Sequence, residues 1–356
     1  MGSLDMAVFT ADAGPRAATV LPELQQLLRL IDQGGSMLNA RELATVTTAG
    51  GTLPVIGVTL GNPDPSVPAL GFIGGVHGLE RIGAQVVLAY LGSLVRRLRW
   101  DLSLHQQLES LRLVFLPVVN PGGVLAGSRA NPQGVDLMRN APQDAEHGVP
   151  FLIGGHRLTR RLPYFRGASG APMQAESDAL CRFVREELLG RPVSVSIDFH
   201  SGFGLRDRIW FPYARSRRPM RHLAEVHALC EVLDQCLWPH PYVMEPQSRH
   251  YLTHGDLWDH LYDESLTLDR GIFLPMTLEM GSWLWVKKNP RQLLSRHSMF
   301  NPLIEHRQQR VLRRHMAWMD FMTRATQSAF RWLPGPDTRI DHGEQALIRW
   351  YRRSFR

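Results

Sequence analysis

The sequence predicts a single α/β domain, built on a mixed, mostly parallel twisted sheet with helices on both faces. Three observations support this. Short apolar runs alternate along the chain with longer segments whose apolar residues recur at helical spacing, the pattern of a largely parallel sheet covered by helices. Residues able to carry chemistry are strung from 77 to 281 across that alternation, so one catalytic domain is the simpler division of 356 residues. Hydrophobic residues make up 44% of the chain, enough for a sizeable core.

In chain order, residues 22–31 read as an N-terminal helix and residues 53–60 and 69–76 as strands. Residues 82–98 return to helical spacing, and 111–118 form another strand-like run. Helical patterns follow at 174–189 and 220–237. Residues 193–199 alternate and carry β-branched side chains, as a strand should. Residues 272–281 form an apolar run that admits one carboxylate near its end, and a long helix is expected between Pro302 and Pro334. Linker composition appears at 61–68 and 334–341, and no internal repeat is visible. The expected division is an N-terminal helical extension over 1–50, a catalytic domain over 51–333 and a basic C-terminal tail over 334–356. That tail carries Trp350, Tyr351 and Phe355 among arginines.

Four short segments supply what metal-assisted hydrolysis needs: residues 77–80, 134–140, 196–200 and 277–281. His77 and Glu80 fall where a strand ends and a helix begins. Three apart on a helical turn, they share a face, so an imidazole nitrogen and a carboxylate oxygen can point at one ion. A His-x-x-Glu pair recurs by chance in chains of this length and needs a third ligand. His200, at the end of a strand, supplies it, because ligands in an open α/β sheet gather at the carboxyl ends of strands. Three protein ligands leave one zinc position for water, the arrangement of a catalytic site. Glu279 sits in an apolar run where a charge is costly unless something nearby uses it. It is the expected general base, taking a proton from the bound water and returning it to the leaving amine.

In these residues the chain resembles the zinc carboxypeptidases of the M14 metallopeptidase family. The resemblance rests on His77-x-x-Glu80, Asn120-Pro121-Gly122-Gly123, Arg129-Ala130-Asn131, Gly134-Val135-Asp136-Leu137-Met138-Arg139-Asn140, His200 and Glu279, in the family's order and spacing. It implies a carboxypeptidase-like fold, one zinc ion held by His77, Glu80 and His200, and Glu279 as base. It also implies that Arg129 steadies the oxyanion and that Arg139 grips the substrate's terminal carboxylate with two parallel hydrogen bonds. Asn131, in the same short match as Arg129, joins the expected substrate-binding residues. Tyr251, with Gly255 and Asp259 four and eight residues on, is similar to the family's mobile tyrosine loop. Tyr251 would then cover the substrate, and Trp258 would lie near the pocket for its last side chain.

One departure stands out. The family has Asn before the carboxylate-gripping Arg, whereas this chain has Met138, which donates no hydrogen bond. A related branch, the succinylglutamate desuccinylases and aspartoacylases, is equally similar at the zinc ligands and at Thr277-Leu278-Glu279-Met280-Gly281. The Tyr251 spacing leans towards carboxypeptidases and Met138 leans away. The expected activity is a zinc-dependent metallocarboxypeptidase acting on a short peptide. The alternatives are a deacylase of N-acyl amino acids and a non-catalytic binding protein on the same fold.

Charge and targeting signals bound the partners. Net charge is +7 with a sequence pI near 9.8, yet no nucleic-acid module is present. Arg307, Arg310, Arg313, Arg314 and Arg324 read as a solvated helix face. The loop at 154–167, with Arg157, Arg160, Arg161 and Arg166, would favour an anionic substrate if it borders the cleft. The first fifteen residues contain Asp5, Asp12 and Pro15 and no apolar core of a secretory signal. Met1-Gly2 begins like an acylation site, but Met6 stands where Ser or Thr is wanted. No run approaches the roughly 18 to 20 apolar residues of a membrane span, so the expectation is a cytoplasmic enzyme with no membrane or nucleic-acid partner. Cys181, Cys230 and Cys236 lack metal-ligand spacing and read as buried reduced thiols.

Overall fold

The computed structural model of the chain describes residues 21–294 and 299–352. The expectations placed on the first twenty residues and on Phe355 lie outside that range. An eight-stranded mixed sheet organises the molecule, formed by β1 (Asn39–Thr48), β2 (Gly51–Gly61), β3 (Ala69–Gly74), β4 (Arg112–Leu116), β5 (Val193–Ser201), β6 (Arg208–Phe211), β7 (Val243–Pro246) and β8 (Ile272–Met280). Their order is β1-β2-β4-β3-β5-β8-β6-β7. The four central strands β4, β3, β5 and β8 run parallel, while β1 and β2 at one side and the β6–β8 pair at the other are antiparallel. Strands covered on both faces have no solvent side to mark with polar residues, which is why β3, β4 and β5 are buried at every position.

Helices cover both faces. On one, α1 (Pro22–Gly34) packs on α2 (Arg81–Arg97), and α2 packs on β3 and β5 and beneath the long α9 (Glu305–Gln327). On the other, α5 (Ala175–Glu187) and α7 (Leu257–Thr267) touch each other, with α5 over β1 and β2 and α7 over β8. Two short helices, α3 (Leu102–Glu109) and α4 (Pro121–Ala126), flank β4 in sequence. Trp318 of α9 is fully buried and meets Phe199 of β5 edge-on at 6.2 Å. Phe199 lies beside Phe72, which contacts Tyr90 of α2 at 5.2 Å and Phe115 of β4 at 5.3 Å. Burying each such ring stabilises the fold by roughly 1.5–3 kcal/mol.

Three expectations change. Residues 39–48, read as part of a helical extension, form the edge strand β1, which pairs with β2 from Asn39 opposite Thr59 to Thr48 opposite Gly51. The β-branched run Thr45-Val46-Thr47-Thr48 suits a pleated surface better than a helix. The C-terminal segment is an element of its own: α11 (Pro336–Ala346) packs on α6 (Leu223–Cys236), with Ala346 and Trp350 buried. Of the cysteines, Cys181 and Cys230 are buried but Cys236, at the last position of α6, is exposed. No helix of the described residues is long and apolar enough to cross a membrane.

Candidate active site

The site is built at the carboxyl ends of β3, β5 and β8. After β3 the chain makes a turn over 75–80, in which Glu80 N–H donates to the His77 carbonyl at 3.0 Å, and only then enters α2. The pair thus shares a turn preceding the helix, not a helical face. Gly78 allows the turn to seat, because a Cβ there would lie 1.9 Å from the Gly123 carbonyl carbon. Across the sheet, His200 of β5 is the register partner of Glu279 of β8, so their side chains leave the same face on adjacent strands.

Three ligand atoms converge. Glu80 Oε1 lies 3.0 Å from His77 Nδ1, Glu80 Oε2 lies 3.1 Å from His200 Nδ1, and the two Nδ1 atoms are 3.2 Å apart. Behind them, His77 Nε2 meets Asp136 Oδ1 at 3.1 Å and His200 Nε2 meets Asp198 Oδ2 at 2.7 Å. Carboxylates that accept the Nε2 protons fix both rings in the tautomer whose Nδ1 lone pair points inward. Two lone pairs and a carboxylate aimed at one point repel unless a positive charge sits among them. The donor set therefore fits a divalent cation of the zinc class.

The electrostatics agree. Burial opposes ionisation of Glu80, but the His77 and His200 imidazoles outweigh it and hold the carboxyl well below its usual range. Asp136 is likewise pushed up by burial and pulled further down by Arg129 and His77. Burial disfavours a charged His200, yet Asp198 and Glu80 raise its pKa well above the ordinary value, so positive charge is favoured here. Glu279 goes the other way: burial first, then the Glu80 charge, push its carboxyl up to about 8. A carboxyl near neutral pH can both accept and return a proton.

These groups floor a cavity of about 460 Å³, walled by Arg129, Met138, Arg139, Tyr164, Tyr251 and the aromatic rings of Phe203, Trp210, Trp283 and Phe300. Arg129 is anchored by Asp136, its Nε 2.7 Å from Oδ2, reaches Glu80 Oε1 at 3.4 Å, and lies over the Tyr164 ring at 4.6 Å. Arg139 is different. It is buried, its nearest partners are the Ile153 and Met138 carbonyls at 3.4 Å, and no carboxylate of the described residues lies within 4.0 Å. Tyr251 is half-buried against Phe203 and Trp210. Its loop closes where Gly255, at φ 65°, comes so near the Arg139 carbonyl that a Cβ would lie 2.1 Å from it.

The cavity thus brings together His77, Glu80, His200, Glu279, Arg129, Arg139 and Tyr251. Two expected substrate contacts fall elsewhere. Asn131 is buried in loop structure, donating to Gln174 and Glu176 and accepting from the N–H groups of Gln133 and Val135. Trp258 lies beneath the site, where its Nε1 donates to Asp198 Oδ2 at 2.9 Å. The arginines of the 154–167 loop do not line the cavity either. Arg166 is folded inward onto Asp144 and the carbonyls of Arg139 and Gln143, while Arg157 caps the Gly167 and Ala168 carbonyls.

Sequence reasoning passed over Asp198, Asp136 and Tyr164. Asp198 had a signal: two residues before His200 in a strand, it shares that face. Asp136 stood inside a quoted motif without a role. Tyr164 had none, because a loop at positive φ brings it to the cavity.

Comparison with known proteins identifies the family and the fold. The sequence model of the zinc carboxypeptidases, peptidase family M14, matches residues 26–255. No curated protein sequence gives a significant match. Among solved structures the chain is similar to thrombin activatable fibrinolysis inhibitor, at 17% identity and a TM-score of 0.62, over 85% of this chain and 71% of that one. The bovine form of that protein, in complex with tick carboxypeptidase inhibitor, matches at 17% identity and a TM-score of 0.54, over 79% of this chain and 95% of that one. Carboxypeptidase A from Helicoverpa armigera matches at 18% identity and 0.50, over 71% and 62%. At such identities the likeness establishes the shared fold.

Proposed function

Since the chain belongs to the zinc carboxypeptidase family of M14 metallopeptidases, we propose that it removes a C-terminal residue from short peptides. The carrying observation is Arg139, a buried guanidinium on the cavity wall with no carboxylate partner among the described residues. A buried charge left unpaired is costly, and a substrate's terminal carboxylate would satisfy it with two parallel hydrogen bonds.

His77, Glu80 and His200 would hold one zinc ion, with Asp136 and Asp198 keeping both imidazoles in register. Zinc bound there supplies a water of lowered pKa and polarises the scissile carbonyl. Glu279 accepts the attacking water's proton at its carboxylate and returns it to the leaving nitrogen. Arg129, held rigid by Asp136 and the Tyr164 ring, presents a fixed cation to the developing oxyanion. The Tyr251 hydroxyl, in the same cavity, donates to the bound substrate, and the surrounding rings exclude water. Met138 leaves the grip on the carboxylate to Arg139 alone.

N-acyl amino acids also present an amide beside a free carboxylate, and Met138 in place of an amide donor favours that second reading. Zinc-loaded enzyme assayed on blocked dipeptides and on N-succinyl and N-acetyl amino acids separates the two. Release of the C-terminal residue from the dipeptides is expected; turnover confined to the acyl amino acids would overturn the peptidase assignment.

A further inference from the structure

Away from the cavity, α6 and α11 are joined by a second cluster of two histidines and a glutamate. His227 of α6 is buried, and its Nδ1 lies 3.0 Å from Nδ1 of His342 on α11. Glu231, one helical turn after His227 and so on the same face, brings Oε2 to 3.6 Å from that His342 nitrogen. The three ligand atoms lie within 4.8 Å of one another, as do those of His77, Glu80 and His200. Tetrahedral zinc, with bonds of about 2.0–2.2 Å to nitrogen and oxygen, sets neighbouring ligand atoms roughly 3.3 Å apart. The observed 3.0 and 3.6 Å bracket that spacing.

A hydrogen bond between the rings would explain the shorter distance alone. It gives no reason for a carboxylate from the next turn to approach the His342 nitrogen as well, at 3.6 Å, while staying within 4.8 Å of the His227 ligand atom, which is what a shared cation does. The setting is unlike the active site in two ways. The side chains of His342 and Glu231 are 23% and 42% exposed, so an ion could enter from solvent and complete its shell with water. Neither ring nitrogen is backed by a buried carboxylate of the kind that Asp136 and Asp198 provide, and none of the three residues lines the large cavity.

We propose that His227, Glu231 and His342 form a second site for a divalent transition metal of the zinc class, which clamps α11 onto α6. The clamp also fixes the end of the described chain, since the His227 ring meets buried Trp350 at 5.8 Å. Its role is structural, and it stands independently of which amide the active site cleaves.

Metal counting tests it. The full-length protein is stripped with chelator, dialysed against micromolar zinc and analysed by mass spectrometry of the metal. Two ions per chain are expected in the wild type and one in His342→Ala, with activity on the preferred substrate unchanged. His77→Ala should lose the other ion and keep this one. Zinc should also slow proteolytic cutting between residues 333 and 336 in the wild type but not in His342→Ala. If His342→Ala fails to fold, Glu231→Gln gives the same readout. A wild-type count of one with His77→Ala at zero, or a count of two that His342→Ala and Glu231→Gln leave unchanged, overturns the proposal.

Discussion

Glu279 and Arg139 are both buried groups facing one cavity. Glu279 answers burial by holding its proton, with its carboxyl up to about 8. Arg139 has only the Ile153 and Met138 carbonyls as hydrogen-bond partners among the described residues. Glu279→Gln should keep shape and metal content but cut kcat by about a hundred- to ten-thousandfold, the usual weight of a positioned general base; metal counting alongside steady-state kinetics checks this. Arg139→Ala should lower kcat/KM roughly ten- to hundredfold on substrates with a free terminal carboxylate, and leave amidated ones at their low rate. Asp198→Asn should weaken zinc affinity by about 10–100-fold, measured by competition with a chromophoric chelator, because the His200 ring loses its orienting acceptor. His77, Glu80, His200 and Glu279, which the structure brings to one cavity, stand out in the sequence because each is an unusual side chain for its local run. Trp258 and Asn131 were misplaced because identity in a motif does not reveal which way a side chain turns.

At the scale of elements, the turn over 75–80 matters more than the helix after it. Helical spacing suggested that His77 and Glu80 share a helix face, yet the 3.0 Å bond from Glu80 N–H to the His77 carbonyl makes the pair before α2 starts. Strand runs at 53–60, 69–76 and 111–118 were readable because burial on both faces leaves them almost continuously apolar, and 193–199 because it alternates and carries β-branched residues. β1 was not, since an edge strand with one exposed side carries a mixed pattern, Arg41 and Glu42 included. Gly78→Ala should be severely destabilising, because the added methyl meets backbone and not a movable side chain; denaturant melts against wild type would measure it, and near-wild-type stability would contradict the packing described.

For the whole molecule, the charge buried under the cavity couples stability to pH. Without metal, the folded state keeps the Glu279 proton up to about 8, whereas an unfolded glutamate releases it near 4.5. The folded state binds more protons between those limits, so stability falls as pH rises through that window and levels off above it. Chelator-treated wild type should therefore lose Tm more steeply than chelator-treated Glu279→Gln from 4.5 to about 8, by scanning calorimetry; parallel curves would contradict this. The single-domain α/β architecture followed from the alternation of strand-like and helix-like segments and from the span of chemistry-bearing residues across it. The sheet's antiparallel flanks and the docking of α11 did not, because they depend on contacts between segments far apart in sequence.

The pairing of His200 with Glu279 across β5 and β8 has a consequence for how such an enzyme can change. Shifting either strand by one residue would turn one of the two to the opposite face, so the ladder register alone holds the two side chains together. The cavity walls from Pro150 to Tyr164 and from Gln247 to Asp256 belong to segments outside that ladder. Exchanging those segments between relatives should transfer substrate preference while the proton-transfer machinery stays untouched, which makes this fold a chassis with detachable selectivity.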